Sequence, residues 1–252
     1  MKKRLKKIVK EYVSEYQKDK EIESNWREPL LKFAAADNPL FEDFKKIISP
    51  SHLLPEDILA GAETVLAYFL PFSKEIVNSN LEGEYSSREW AAAYVETNRL
   101  ISDLNQHLEK ELAEKGWRAS SVPATHQFDK KRLLSDWSHR HAAYAAGLGK
   151  FGINNMLITA KGCAGRVGTL ITDLKIEPSR PIDKELCLNK AGKNCQKCVE
   201  NCVNDSLQVD SFARFKCYEQ LLENDELHPE LALTDVCGKC SVGLPCSFRA
   251  AN

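Results

Sequence analysis

Apolar residues recur at three- and four-residue steps over 2–19, where Leu5, Ile8, Val9, Val13 and Tyr16 form one stripe of an amphipathic helix with a lysine-rich outer face. The same reading predicts helices over 24–36 and 40–48. A long helix over 87–115 turns Trp90, Tyr94, Leu100, Leu104, Leu108 and Leu112 inward and ends at Gly116, and a further helix covers 136–147. The stretch 63–72 is apolar almost without a break and is closed by Pro71, which predicts a buried strand. Short strands are expected around 117–123, over 155–159 and from 166. The last alternates Val167, Thr169 and Ile171 against Gly168, Leu170 and Thr172. Helices mixed with a few strands predict an α+β layered domain. No internal repeat or low-complexity segment interrupts the pattern.

Composition narrows the class of protein. With 43% hydrophobic and 28% charged residues, a chain of 252 residues can bury a full core. Its net charge of −1 supplies no global field for nucleic acid. No stretch approaches the ~18 consecutive apolar residues of a membrane span. The basic N-terminus is followed by polar residues, not by a signal-peptide core, so a cytoplasmic address is expected.

Nine cysteines change the picture, because in a reducing compartment they read as metal ligands or catalytic groups before disulfides. Apart from Cys163, all fall between Cys187 and Cys246. This asymmetry predicts a main α+β domain over 1–180 and a cysteine-rich module over 181–252, joined through 177–185. Cys195-x2-Cys198-x3-Cys202 is the back half of a bacterial ferredoxin run, with Cys187 as the candidate first ligand. Cys217, Cys237, Cys240 and Cys246 repeat the logic with longer loops. In a two-cluster ferredoxin the last cysteine of each run crosses to the other cluster. One 4Fe–4S cluster is therefore expected on Cys187, Cys195, Cys198 and Cys246, and another on Cys202, Cys217, Cys237 and Cys240. Four-thiolate zinc on Cys195, Cys198, Cys237 and Cys240 is the alternative and leaves four cysteines unexplained. Cys163 reads as a small buried residue.

Gly147-x-Gly149-x-x-Gly152 has the spacing of a dinucleotide-binding turn, which has meaning only when a strand enters it and a helix leaves. The order here is reversed. A helix capped by Ser135 or Asp136 runs into Gly147 or Gly149, and a strand follows. His139 and His141 lie two apart on that helix and point to different faces, which argues against a paired metal site.

Taken together, the stretch from Arg140 through Ala146-Gly147-Leu148-Gly149-Lys150-Phe151-Gly152-Ile153-Asn154 and the cysteine runs resemble the epoxyqueuosine reductases, relatives of the reductive dehalogenases. The resemblance covers about 60–246. It implies a nitroreductase-like α+β domain followed by a ferredoxin-like module with two 4Fe–4S clusters, Cys217 lying on a helix, and cobalamin beside the clusters. It implies a reductase fed by a donor such as ferredoxin or flavodoxin. An electron-transfer protein that serves a partner's corrinoid, or a zinc-stapled binding module, are the rivals. Arg140, Gly147, Gly149, Phe151, Gly152 and Asn154 would shape the corrin pocket, although tight packing explains the glycines equally well. Arg140 would hold an anion or a corrin amide, or else a surface salt bridge. Departures accompany the matches. Lys150 stands at the family's aromatic, Ile153 at its lysine, and Val203 and Ser247 at the ferredoxin prolines. The family's acid position is Leu133, so Asp136 is the candidate proton donor, or a helix cap. The family's tRNA-acting members carry C-terminal helical repeats that have no counterpart here, which argues against a tRNA-end substrate.

Overall fold

The computed structural model describes residues 1–123 and 128–251. Its centre is a four-stranded antiparallel sheet in the order β1-β2-β6-β3, built from β1 (Leu30–Ala35), β2 (Thr64–Pro71), β3 (Ala119–Ser121) and β6 (Gly165–Thr172). Strand β2 is buried at all eight positions because helices cover both faces of the sheet. Leu66, Tyr68 and Leu70 pack against α1 (Lys2–Tyr16) and α5 (Arg88–Ala113). Val65, Ala67 and Phe69 pack against α2 (Leu40–Ile47) and α6 (His139–Ala145). An unbroken apolar run is usual for a parallel strand, but here two helical layers impose it on an antiparallel one. The expected α+β class is observed.

One expected helix is a strand. Within 24–36, residues 30–35 form β1 and pair with β2 from Leu30 opposite Phe69 to Ala35 opposite Thr64. Leu, Lys and Ala favour helix locally, but Phe33 and Leu31 gain burial by pairing, and tertiary burial outweighs a few tenths of a kcal/mol of propensity per residue. Pro29 was the missed signal: it disfavours helical geometry at Glu28 just ahead of the strand. The remaining helices of the structure are short, apart from α8 (Arg214–Glu226): α3 (Pro55–Ile58), α4 (Lys74–Ser79) and α7 (Lys197–Glu200).

Helix α6 delivers the chain to the glycine stretch. Its cap is Ser138, whose Oγ accepts the His141 amide at 3.4 Å, so neither Ser135 nor Asp136 caps it. At its other end Gly147 has φ +69°, Leu148 N donates to Ala143 O and Gly147 N to Tyr144 O, both at 2.9 Å. That is a Schellman ending, closed by Leu148 packing in the same cluster as Ala143. The hairpin of β4 (Gly149–Phe151) and β5 (Leu157–Thr159) follows. Helix before and strand after exclude a dinucleotide turn.

The cysteine-rich segment is stitched to this body. Asn80 Nδ2 donates to Cys237 O at 2.8 Å, and the buried Lys239 ammonium donates to Asn80 O at 3.0 Å and Glu82 O at 2.6 Å. Ala164 N reaches Ser247 O at 3.1 Å, and Arg27 binds Phe248 O at 3.0 Å.

Candidate functional site

The loops around α7 and the last turn of the chain bring Cys187, Cys195, Cys198 and Cys246 to the wall of one cavity, with Ile153, Asn154, Ile158, Leu188 and Leu244 supplying most of the rest. These are the four cysteines that crossover ligation groups together. Burial, and after it the neighbouring Cys246, Cys187 and Cys195, pushes the Cys198 thiol up to about 12. Thiols so placed resist ionisation unless positive charge accompanies them. Cys202, Cys217, Cys237 and Cys240 neighbour one another in a second group. Burial raises Cys217, Cys237 and Cys240; Cys202 acts on all three, and Cys198 of the first group acts on Cys240 as well. The two C-x2-C pairs thus go to different groups, and among the described residues no three His, Cys, Asp or Glu side chains are placed to share one metal ion. Two four-iron clusters, each with one thiolate per iron, fit these two donor sets and use all eight cysteines, whereas a single four-thiolate zinc leaves four of them without a role.

Asn154 and Cys163 stand between the hairpin and the cysteines. Asn154 Nδ2 donates to Cys240 O at 2.8 Å. Cys163 is buried, as expected, and its amide donates to Cys246 O at 2.9 Å, with its thiol beside that of Cys246. Nothing in the spacing of 161–165 announces that contact.

Each glycine has its Cβ side filled by the chain itself. A side chain at Gly147 would meet Arg180 O at 2.5 Å, one at Gly149 would strike Ile158 O, and one at Gly152 would meet Asn154 Oδ1 at 2.6 Å. Phe151 lies 4.7 Å from the His141 ring centre and packs inward. His141 faces Phe44 and Phe151, whereas His139 points into the core at Thr169, so the two histidines diverge.

Arg140 makes no salt bridge among the described residues. Its guanidinium donates to Asn155 O at 2.8 Å, tying α6 to the hairpin turn, and it feels the thiols of Cys240 and Cys217. Burial first, then Arg166 and Arg214, holds it below the ordinary arginine value against the opposite pull of the Cys240 and Cys217 thiols, although part of its surface is exposed. Arg166 adds a second cation, 4.1 Å over the Tyr94 ring, and Tyr94 Oη donates to Asp235 at 2.6 Å. The Arg166 Nε–H is buried without a hydrogen-bond partner among the described residues. Sequence reasoning missed Arg166, Tyr94 and Asp235. Periodicity assigns 94 to a helix stripe and 166 to a strand, and no local spacing links them. Asp136 sits at the α2–α3 connection, its carbonyl accepting Leu53 N at 2.8 Å beside His52.

No family model and no curated protein matches the chain. Solved structures do. A selenomethionine-labelled epoxyqueuosine reductase superposes over 95% of this chain with a TM-score of 0.58 at 18% identity, using 65% of its own length. The enzyme from Streptococcus thermophilus gives 0.57 at 16%, over 95% of this chain and 66% of its own. The chain has the fold of the epoxyqueuosine reductases. A reductive dehalogenase whose structure suggests a mechanism for B12-dependent dehalogenation gives 0.50 at 16%, over 71% of this chain and 23% of its own. The chain spans about two thirds of the length of the epoxyqueuosine reductases it matches. Among the described residues no helix is long and apolar enough to cross a membrane.

Proposed function

We propose that this chain is an iron–sulfur reductase of the epoxyqueuosine reductase kind, with a nitroreductase-like domain and a ferredoxin-like module over 181–252. One 4Fe–4S cluster sits on Cys187, Cys195, Cys198 and Cys246, the other on Cys202, Cys217, Cys237 and Cys240. The observation that carries this reading is the single cavity walled by the four crossover cysteines, inside a fold shared with reductases. Cobalamin, when bound, supplies a strongly reducing cobalt centre. The chain's own part is to place positive charge beside the second cysteine group. Arg140 lies there with Arg166 near it, and the unpartnered Nε–H of Arg166 is available to an anionic group or an amide of ligand or substrate. Asp136 is the candidate proton donor to a small substrate. The work is intracellular, where the thiols stay reduced.

A second reading is electron transfer to a partner's corrinoid, with no substrate of its own. It is favoured by the glycines, whose open faces are already filled by Arg180, Ile158 and Asn154. Anaerobically purified protein is expected to contain about eight irons and eight acid-labile sulfides per chain, with visible absorption that bleaches under dithionite. One or two zincs without sulfide overturns the redox reading. Titration with cob(II)alamin then separates the two: a base-off spectrum at micromolar protein supports the reductase, and its absence leaves the carrier.

A further inference from the structure

Charge is distributed unevenly around the two cysteine groups. Residues 180–200, which carry Cys187, Cys195 and Cys198, contain five basic and three acidic side chains. Two of those acids are already engaged, Glu185 by Lys150 at 2.8 Å and Glu200 by Lys197 at 3.2 Å. Residues 201–235, which carry Cys202 and Cys217, contain two basic and eight acidic side chains. Lys184, Lys190, Lys193 and Lys197 are all exposed, and so are Glu219, Glu223 and Glu226 along α8. The lysine loop is compact: Ala191 N returns to Cys187 O at 3.0 Å and Lys193 N to Leu188 O at 2.9 Å. Lys197 itself borders the cavity of the first group, where Cys195 is half-exposed.

We infer that an acidic one-electron carrier protein docks on the lysine face over 184–197 and delivers its electron to the first cysteine group. The inference rests on the iron–sulfur reading and adds to it the side of entry and the charge of the partner. An acidic surface is attracted to this face and repelled by α8, so the two ends of the relay are told apart electrostatically. Lysines suit such a partner, because strongly hydrated point charges on flexible stems steer a short-lived encounter without locking it, and electron-transfer interfaces are small. No aromatic residue interleaves the lysines of 184–197 to stack nucleic-acid bases, which favours a protein partner over RNA. In the delivery step one electron leaves the carrier and reduces the cluster, with no bond made or broken.

The test is stopped-flow bleaching of the cluster-loaded protein by reduced flavodoxin, an acidic carrier used as probe. K184E/K190E should slow bleaching by roughly tenfold at low salt, and raising the salt should slow the unmodified protein towards the same rate. The visible spectrum, the melting temperature and the dithionite end point of the variant should stay unchanged. E219K/E223K on α8 should not slow the reaction. An unaltered rate in K184E/K190E, a slower one in E219K/E223K, or no reduction of unmodified protein by flavodoxin overturns the inference. A gel shift with an RNA stem-loop that disappears in K184E/K190E while the flavodoxin rate holds assigns the face to RNA and overturns it too. Unmodified protein with no dithionite-bleachable absorption would instead defeat the underlying iron–sulfur reading.

Discussion

His139 shows how a single side chain ties the sheet to the segment that leads to the site. Trp137 Nε1 donates to Thr169 Oγ1 at 3.0 Å, and Thr169 Oγ1 meets His139 Nδ1 at 2.8 Å. His139 Nε2 lies 3.0 Å from Pro123 O, which only accepts, so Nε2 carries the proton and Nδ1 accepts from the threonine. This chain of bonds holds a neutral imidazole, and burial lowers its pKa to about 4. The unfolded chain takes up a proton near pH 6.5 while the folded chain does not. Stability is therefore full above that value and falls as pH drops from about 6.5 towards 4, with about 1.4 kcal/mol gone by pH 5.5. Thermal melts of the unmodified protein and of His139→Gln from pH 7.5 to 5.5 check this, and the variant should lack that component of the decline. Spacing anticipates which module cysteines come together in space, Cys187, Cys195, Cys198 and Cys246 at one cavity and Cys202, Cys217, Cys237 and Cys240 beside one another. His139, Arg166 and Cys163 act through partners 15 or more residues away, and one sequence carries no trace of such pairings.

At the scale of elements, the glycines answer to the hairpin. Gly147 takes the left-handed turn that ends α6, while Gly149 lets β4 approach the backbone of β5 at Ile158. Gly149→Val is expected to cost roughly 2–4 kcal/mol, because the carbonyl it strikes belongs to backbone and cannot swing aside. Urea unfolding measures this, and the variant should keep its cluster absorption wherever it remains folded. The reversal of helix and strand around these glycines was readable from the alanines ahead and the apolar run behind. Strand β1 is only partly readable: Pro29 argues against one helix running through 24–36, but the six residues themselves have helical composition, and the register against β2 makes them a strand. The cap of α6 was misplaced by two or three residues for a similar reason. Ser135, Asp136 and Ser138 are equivalent as caps in sequence, and the bond from Ser138 N to His52 Nε2 at 3.1 Å selects among them.

Across the whole molecule, the crossing of ligands makes the two cysteine runs interdependent. Cys202 closes the ferredoxin-like run that begins with Cys195, yet its neighbours are the thiols of the second group, Cys217, Cys237 and Cys240. Cys246 closes the chain's last run and lines the cavity of the first group. Under the proposed ligation, Cys202→Ala removes a ligand from the second cluster alone, although Cys202 lies only four residues beyond Cys198. Cys202 only borders the apolar cluster at the first cavity, whose buried centre is Ile158, Leu186, Leu207 and Leu244, so removing its thiol leaves that centre in place. Electron paramagnetic resonance of the reduced variant is expected to show one intact 4Fe–4S signal where the unmodified protein shows two coupled ones, and the iron content should fall by about half. Cys246→Ala should lose the other cluster, and Cys163→Ala, which removes a neighbour of Cys246 and no ligand, should keep both. If Cys202→Ala instead abolishes the cluster held by Cys187, Cys195 and Cys198, the runs are self-contained and the crossover assignment fails.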